Sequence, residues 1–228
     1  MDKLHINEAY KVLDHGFVQI VDYMGNDLSI VRAARVSFNA PPRLDGSDDK
    51  LIRYLMKNKH TSPFEAVTFT FEVKAPIFVL RQWHRHRTWS YNEVSARYTE
   101  LPEDFYIPKL ENITRQDPKN KQARTGEQHV DAHIFADRLT EHAEECFRLY
   151  KVALEDEIPR ELARLFLPLN VYSRMFATVD LHNLFHFLRL RLNPHAQYEI
   201  RVYAQAMLDL IEPIVPVACG AFKESMKT

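Results

Sequence analysis

The alternation of apolar and polar positions is sharpest at residues 67–74, where Val67, Phe69, Phe71 and Val73 interleave with Thr68, Thr70, Glu72 and Lys74. A period of two marks a half-buried strand. A second strand is predicted from Phe17 to Asp22, stopped at Gly25. Asn26 or Asp27 then caps a helix with Leu28, Val31, Ala34 and Val36 on its apolar side, closed at Ser37. Residues 39–49, with Pro41, Pro42 and Gly46, read as a loop, and Lys50 to Lys59 as a helix burying Leu51 and Leu55. His60 to Glu65 turns the chain into the 67–74 strand. Pro76 suits the first turn of a helix from Ile77 to Trp83, which ends on a dense run of arginine and histidine.

Beyond Tyr98 the pattern lapses. Pro102, Pro108 and Pro118 and many polar groups predict a long loop to Arg124, with a short extended piece at Phe105–Ile107. Helical spacing returns from Glu127 to Glu155, with Phe135, Leu139, Ala143, Cys146, Phe147, Tyr150 and Leu154 along one stripe. That stripe makes Cys146 a core thiol. Pro159 opens a short helix carrying Arg160 and Arg164; Asn170 to Thr178 reads as a strand. Leu181 to Leu192 and Ala196 to Ile211 read as helices, the second burying Ile200, Tyr203, Met207, Leu210 and Ile211. No repeat or linker divides the chain. The expectation is α/β: a single domain over residues 1–228, with a mixed or antiparallel sheet flanked by long helices.

Composition narrows the chemistry. A chain of 228 residues can bury one sizeable core. A formal charge of −1 leaves no broad basic field for a nucleic acid polymer, so the cations are concentrated locally. Five glycines in the whole sequence supply no glycine-rich phosphate loop and argue against a Rossmann fold. Cys146 and Cys219 are the only cysteines and form no C-x-x-C pair, so neither a disulfide framework nor a thiolate zinc site is indicated. No run approaches a membrane span, and Met1 to His5 lacks the apolar core of a signal peptide. A cytoplasmic protein is expected.

The cations gather in Arg85-His86-Arg87-Thr88-Trp89-Ser90-Tyr91-Asn92-Glu93-Val94-Ser95-Ala96-Arg97-Tyr98. Arginines beside flat rings and small hydroxyls suit an anionic aromatic ligand such as a nucleotide. A solvated face or an RNA-binding tract has the same composition. His84 with His86, and His182 with His186 one helical turn apart, have spacings that can hold zinc. No glutamate follows His182 as in the zincin motif, and no third ligand is evident; no metal is assigned. Ser95 has no identifiable base in the sequence.

Spacing separates these readings. Arg-His-Arg, seven residues, Ser95 and then Arg97-Tyr98 resembles the signature of the flavin-dependent thymidylate synthases. The similarity continues in Val31-Arg32-Ala33-Ala34-Arg35-Val36-Ser37, in the turn from His60 to Glu65 and in the block from Pro76. It returns at Leu167-Pro168-Leu169-Asn170, at Leu188-Arg189-Leu190-Arg191 and at His195-Ala196-Gln197. The resemblance implies synthesis of dTMP from dUMP, with one carbon from methylenetetrahydrofolate, hydride from reduced FAD, and FAD recharged by NAD(P)H, with NADPH as the nicotinamide substrate. It implies a homotetramer with shared active sites.

By the same resemblance, FAD would be held by Arg85, His86, Arg87 and Ser62, with Ser37 and His60 along the flavin or folate side. Glu93 would sit between flavin and nucleotide. The adenine end would be met around Asp180, Leu181, His182 and His186, although a plain helix cap at Asp180 has equal claim. The dUMP would be bound by Gln82, Trp83, His84, Arg85, Glu93, Val94, Ser95, Ala96 (through its backbone), Arg97 and Arg164. Arg191 would face the uracil ring as the catalytic group.

Overall fold

The computed structural model of the chain describes residues 7–43 and 46–227; Met1 to His5, and Leu44 and Asp45 of the expected 39–49 loop, lie outside the described residues. The alternating stretch forms strand β3 (Thr68–Pro76), with Phe69, Phe71 and Val73 wholly buried. It runs between β2 (Gly16–Met24) and β7 (Tyr172–Asp180), antiparallel to both. A short β1 (Tyr10–Val12) pairs with β2 at one edge, and β4 (Ser90–Glu93) pairs with β7 at the other. The sheet order is therefore β1-β2-β3-β7-β4. An antiparallel sheet can bury one face and solvate the other, which is why its strands alternate so cleanly.

The buried face packs on helices α1 (Asp27–Val36), α2 (Ser47–Lys57), α3 (Ile77–Trp83), α6 (Leu181–Arg191), α7 (Tyr198–Ile211) and α8 (Pro216–Ser225). Asn26 is the N-cap of α1, in a reciprocal capping box with Ser29. A second, smaller cluster joins α4 (Ala132–Glu155) to α5 (Arg160–Ala163) through Phe147, Tyr150, Ala153 and Ala163. The α/β fold and its antiparallel sheet match the expectation.

Several boundaries differ. Helix α2 begins at Ser47, before Lys50. Helix α4 begins at Ala132 rather than at Glu127, because Arg124–Gln128 is a strand, β6, paired with β5 (Thr114–Gln116) inside the expected loop. The extended piece at Phe105 makes a single bridge to Val171. The stripe of α4 is buried only from Ala143 onward; Phe135 is 52% exposed. Cys146 is half-buried at the edge of the stripe, with Sγ 3.6 Å from His142 Nε2, and not in the core as expected.

Gly16 is required by a close approach. A Cβ there would overlap the Tyr203 hydroxyl and lie 2.7 Å from the Val12 carbonyl oxygen. That buried hydroxyl donates to the Lys74 carbonyl at 2.7 Å and ties α7 to β3. Gly16→Ala is expected to destabilise the chain by about 1–3 kcal/mol, as overpacking does. Thermal unfolding would show the drop in Tm; an unchanged Tm would mean that β2 shifts freely.

Candidate active site

Strand β3 hands the chain to α3 at Pro76, whose extended backbone forms the cap. The last turn of α3 sends Trp83 into the core, stacked on Phe187 with ring centroids 4.9 Å apart. The chain then leaves the helix in a tight turn, with His84 N–H donating to Leu80 O and His86 N–H to Trp83 O, each at 2.9 Å. The Tyr91 hydroxyl, reaching back from β4, lies 3.1 Å from the Trp83 carbonyl and 3.0 Å from that of His86. Burial pushes this phenol far up, so it stays a donor. Between these fixed points Trp83, His86 and Trp89 point inward, while Arg85 and Arg87 face solvent. Trp83 is thus a core residue, and its side chain is removed from the predicted nucleotide contacts.

Helix α6 brings the other half. Its N-cap is Asp180, whose carboxylate accepts from the backbone N–H of Asn183 at 2.9 Å and from its side-chain amide at 2.6 Å. Leu181 is buried, and its N–H donates to Val67 O at 2.8 Å. In the last turn Arg191 Nε donates to His86 Nε2 at 3.0 Å, and a terminal nitrogen donates to the Gln82 carbonyl at 3.2 Å. A cation is favoured at that end of a helix. Because His86 Nε2 accepts, the ring is neutral with its proton on Nδ1. Burial first, then the charges of Arg191 and His186, push His86 down to about 4. Guanidinium has five N–H donors, and among the described residues three of those on Arg191 make no hydrogen bond.

The other predicted residues fall into two further groups. Ser62 opens the 3-10 turn Ser62–Ala66, on which α1 and α6 both pack; Ser37 ends α1, and exposed His60 precedes the turn with its ring 5.9 Å from Tyr54. Helix α6 therefore spans from this region to His86, about 15 Å at the usual helical rise. His182 and His186 lie one turn apart along it. The remaining group is Ser95, Ala96, Arg97 and Arg164. The Arg97 N–H donates to Ser95 Oγ at 3.3 Å, and the Arg97 guanidinium pairs with Glu161 at 3.2 Å. Arg164 Nε donates to Glu161 O at 3.3 Å. Among the described residues no hydrogen bond or ion pair joins this group to Arg191 or Gln82. Glu93 and Val94 lie between: Glu93 Oε2 is 3.9 Å from His84 Nε2, and Val94 N–H donates to Arg174 O at 2.8 Å.

Arg85 and Arg87 have no carboxylate partner among the described residues. Two exposed, unpaired guanidiniums beside a fixed neutral imidazole suit a phosphate or pyrophosphate. Two contributors went unassigned in the sequence. The Tyr91 hydroxyl fixes the turn, and Gln197, the N-cap of α7, meets the Gln82 side chain. Only the His195-Ala196-Gln197 match pointed toward the latter.

Residues 19–217 match the family described as thymidylate synthase complementing protein. A flavin-dependent thymidylate synthase from Treponema denticola is 47% identical over 97% of this chain and 84% of its own length. One from Thermus thermophilus is 50% identical over 94% of this chain and 78% of its own. The UMP/dUMP methylase PolB from Streptomyces cacaoi, solved with 5-Br dUMP bound, superposes with a TM-score of 0.86 at 38% identity, over 94% of this chain and 97% of that one. With a family match across most of its length and relatives near half-identical, the chain belongs to the thymidylate synthase complementing protein family.

Proposed function

We propose that this chain is a flavin-dependent thymidylate synthase, making dTMP from dUMP with one carbon from methylenetetrahydrofolate. The observation that carries this reading is the Arg191 guanidinium, fixed by His86 and the Gln82 carbonyl beside the unpaired Arg85 and Arg87. FAD, when bound, supplies the hydride for the reductive step. The donor set fits that cofactor: without a glycine loop, its phosphates need side-chain cations, and Arg85 and Arg87 provide them. Ser62, at the other end of α6, offers a neutral hydroxyl to a different part of the cofactor. The Asp180 carboxylate is committed to Asn183, so adenosine contacts fall to His182 and His186.

Uracil C5 is a poor nucleophile until negative charge builds on O4 or N3. A half-buried, oriented guanidinium at Arg191 stabilises that charge without a proton transfer. Neither cysteine is poised for the alternative, thiolate attack at C6. Cys219 is buried and its thiol is pushed up; that of Cys146 is pushed up as well. Both thiols are unpaired, which accords with a reducing, cytoplasmic compartment. A reduced nicotinamide dinucleotide is the expected reductant, and we assign a homotetramer as the working assembly, since three large ligands exceed what one small domain can enclose.

Purified protein is expected to be yellow and to release FAD on denaturation, and to form dTMP when given dUMP, methylenetetrahydrofolate and NADPH. Colourless protein that neither takes up added FAD nor oxidises NADPH would end the reading. Ser95 is assigned as a phosphate donor: its hydroxyl meets the Arg97 N–H, and no base adjoins it among the described residues. Ser95→Ala should raise the KM for dUMP about tenfold, the scale of one charge-assisted hydrogen bond, while synthesis persists at saturation. Loss of synthesis at saturating dUMP would make it a nucleophile instead.

A further inference from the structure

A cleft of about 550 Å³ opens between α4, the β5–β6 hairpin and the first turn of α7. Phe78, Tyr106, Ile134, Phe135 and Leu139 make its wall largely apolar and partly aromatic. Two buried polar atoms in residues of this wall have no hydrogen-bond partner among the described residues: Glu199 Oε2 and Thr114 Oγ1. Glu199 is 3% exposed. Its other oxygen, Oε1, accepts from the Tyr106 hydroxyl and from Arg124, each at 3.2 Å. An unsatisfied carboxylate oxygen shielded from water is costly, so a donor belongs beside it. Arg138 lines the same cleft and has no carboxylate partner among the described residues. Asp131 lines it too, but two helical turns away along α4, about 10 Å. Gln197 also lines the cleft and, through Gln82, connects it to the Arg191 group.

We propose that this cleft binds a planar heteroaromatic ligand whose N–H or amino edge bonds Glu199 Oε2 and Thr114 Oγ1, and whose anionic substituent lies against Arg138. The aromatic wall favours a flat ring, and a cleft of this volume takes a ligand of nucleotide or pterin size. A vicinal N–H and NH2 edge, as on a 2-amino-4-oxo pyrimidine ring, presents two donors to a carboxylate. Pterins and guanine share that edge. The cleft adjoins the Arg191 group through Gln197 but is not lined by Arg85, His86 or Arg191, and the proposal stands whether or not the chain is a synthase.

The test is calorimetric titration of the full chain with pterin-6-carboxylate, with GMP and with 2-naphthoate, a flat anion that has no donor edge. At least one of the first two should bind with a Kd in the micromolar range, about tenfold or more tighter than 2-naphthoate, as expected for hydrogen bonds to a charged group. Which of the two binds separates pterin from purine. Glu199→Gln should weaken that binding about tenfold or more and leave 2-naphthoate unchanged. Leu139→Trp, which fills the cleft, should abolish it, and Arg138→Ala, an exposed change, should weaken every anionic probe. Melting curves establish that each variant is folded; if Glu199→Gln is not, the other two variants carry the test. No binding of either donor-bearing probe up to millimolar concentration, equal affinity for 2-naphthoate, or binding that survives Leu139→Trp overturns the proposal. Each readout is binding without turnover, so failure of the synthase reading would leave it interpretable.

Discussion

Replacing Arg191 with alanine is expected to lower turnover of dUMP by about a hundred- to a thousand-fold, the scale of one preorganised donor at a developing anion. Flavin content should stay near normal, because Arg85 and Arg87 remain. Lysine should rescue poorly: a point charge cannot satisfy His86 Nε2 and the Gln82 carbonyl together and still present a fork to the ring. His86 sets the pH range of this arrangement. Its pKa falls from an ordinary 6.5 to about 4 in the fold, so proton uptake favours the unfolded chain. The stability it contributes is complete above about 6.5 and lost as pH falls through about 4. Over the same range a protonated Nε2 ceases to accept from Arg191. Single-turnover rates at saturating dUMP would test the role of Arg191; near-normal rates in Arg191→Ala would remove it from the chemistry.

Mixed oligomers should recover activity that neither parent has. Ser95, Arg97 and Arg164 cluster around Glu161, whereas Arg191 is tied to Gln82 and His86, and no hydrogen bond or ion pair among the described residues joins the clusters. Both are assigned to one dUMP, one on its phosphate and one on its ring, and different subunits are expected to supply them. Arg164→Ala and Arg191→Ala enzymes would each be nearly inactive. Random co-assembly should restore about a quarter of the sites, since each needs one intact donor of each kind. Co-expression with different tags, followed by assay of dTMP formation, gives the result. No recovery in verified hetero-oligomers would place both arginines in one subunit.

Much of this was legible in the sequence where packing writes a period. Residues 67–74 alternate because one face of β3 is buried, and the cap at Asn26 marks the start of α1. The β5–β6 hairpin left no such trace. Thr114–Gln116 and Arg124–Gln128 carry no large apolar side chain, so no alternation marks them. The hairpin is held by backbone pairing and by polar side chains such as Arg124, which donates to Asn112 O and to Glu199. In helix α4 spacing overstates burial: the apolar stripe begins at Phe135, but among the described residues its close packing begins at Ala143. Phe135 is helical in spacing and exposed in fact. At the site, residue types were legible and directions were not. The Trp83 ring lies against Phe187, a pairing between residues more than a hundred positions apart in the chain. A local motif cannot reveal which of its aromatics a distant helix will claim.

The sheet order also has a temporal consequence. Strand β3 sits between β2, made before it, and β7, made about a hundred residues later. During synthesis its second edge stays open until Asp180 has emerged, and late pairing of this kind slows folding and exposes an edge to other chains. The His86 imidazole cannot acquire its Arg191 partner before that moment. The Arg191 half of the site is therefore assembled only near the end of synthesis, when α6 can pack beside the sheet and the turn at His86.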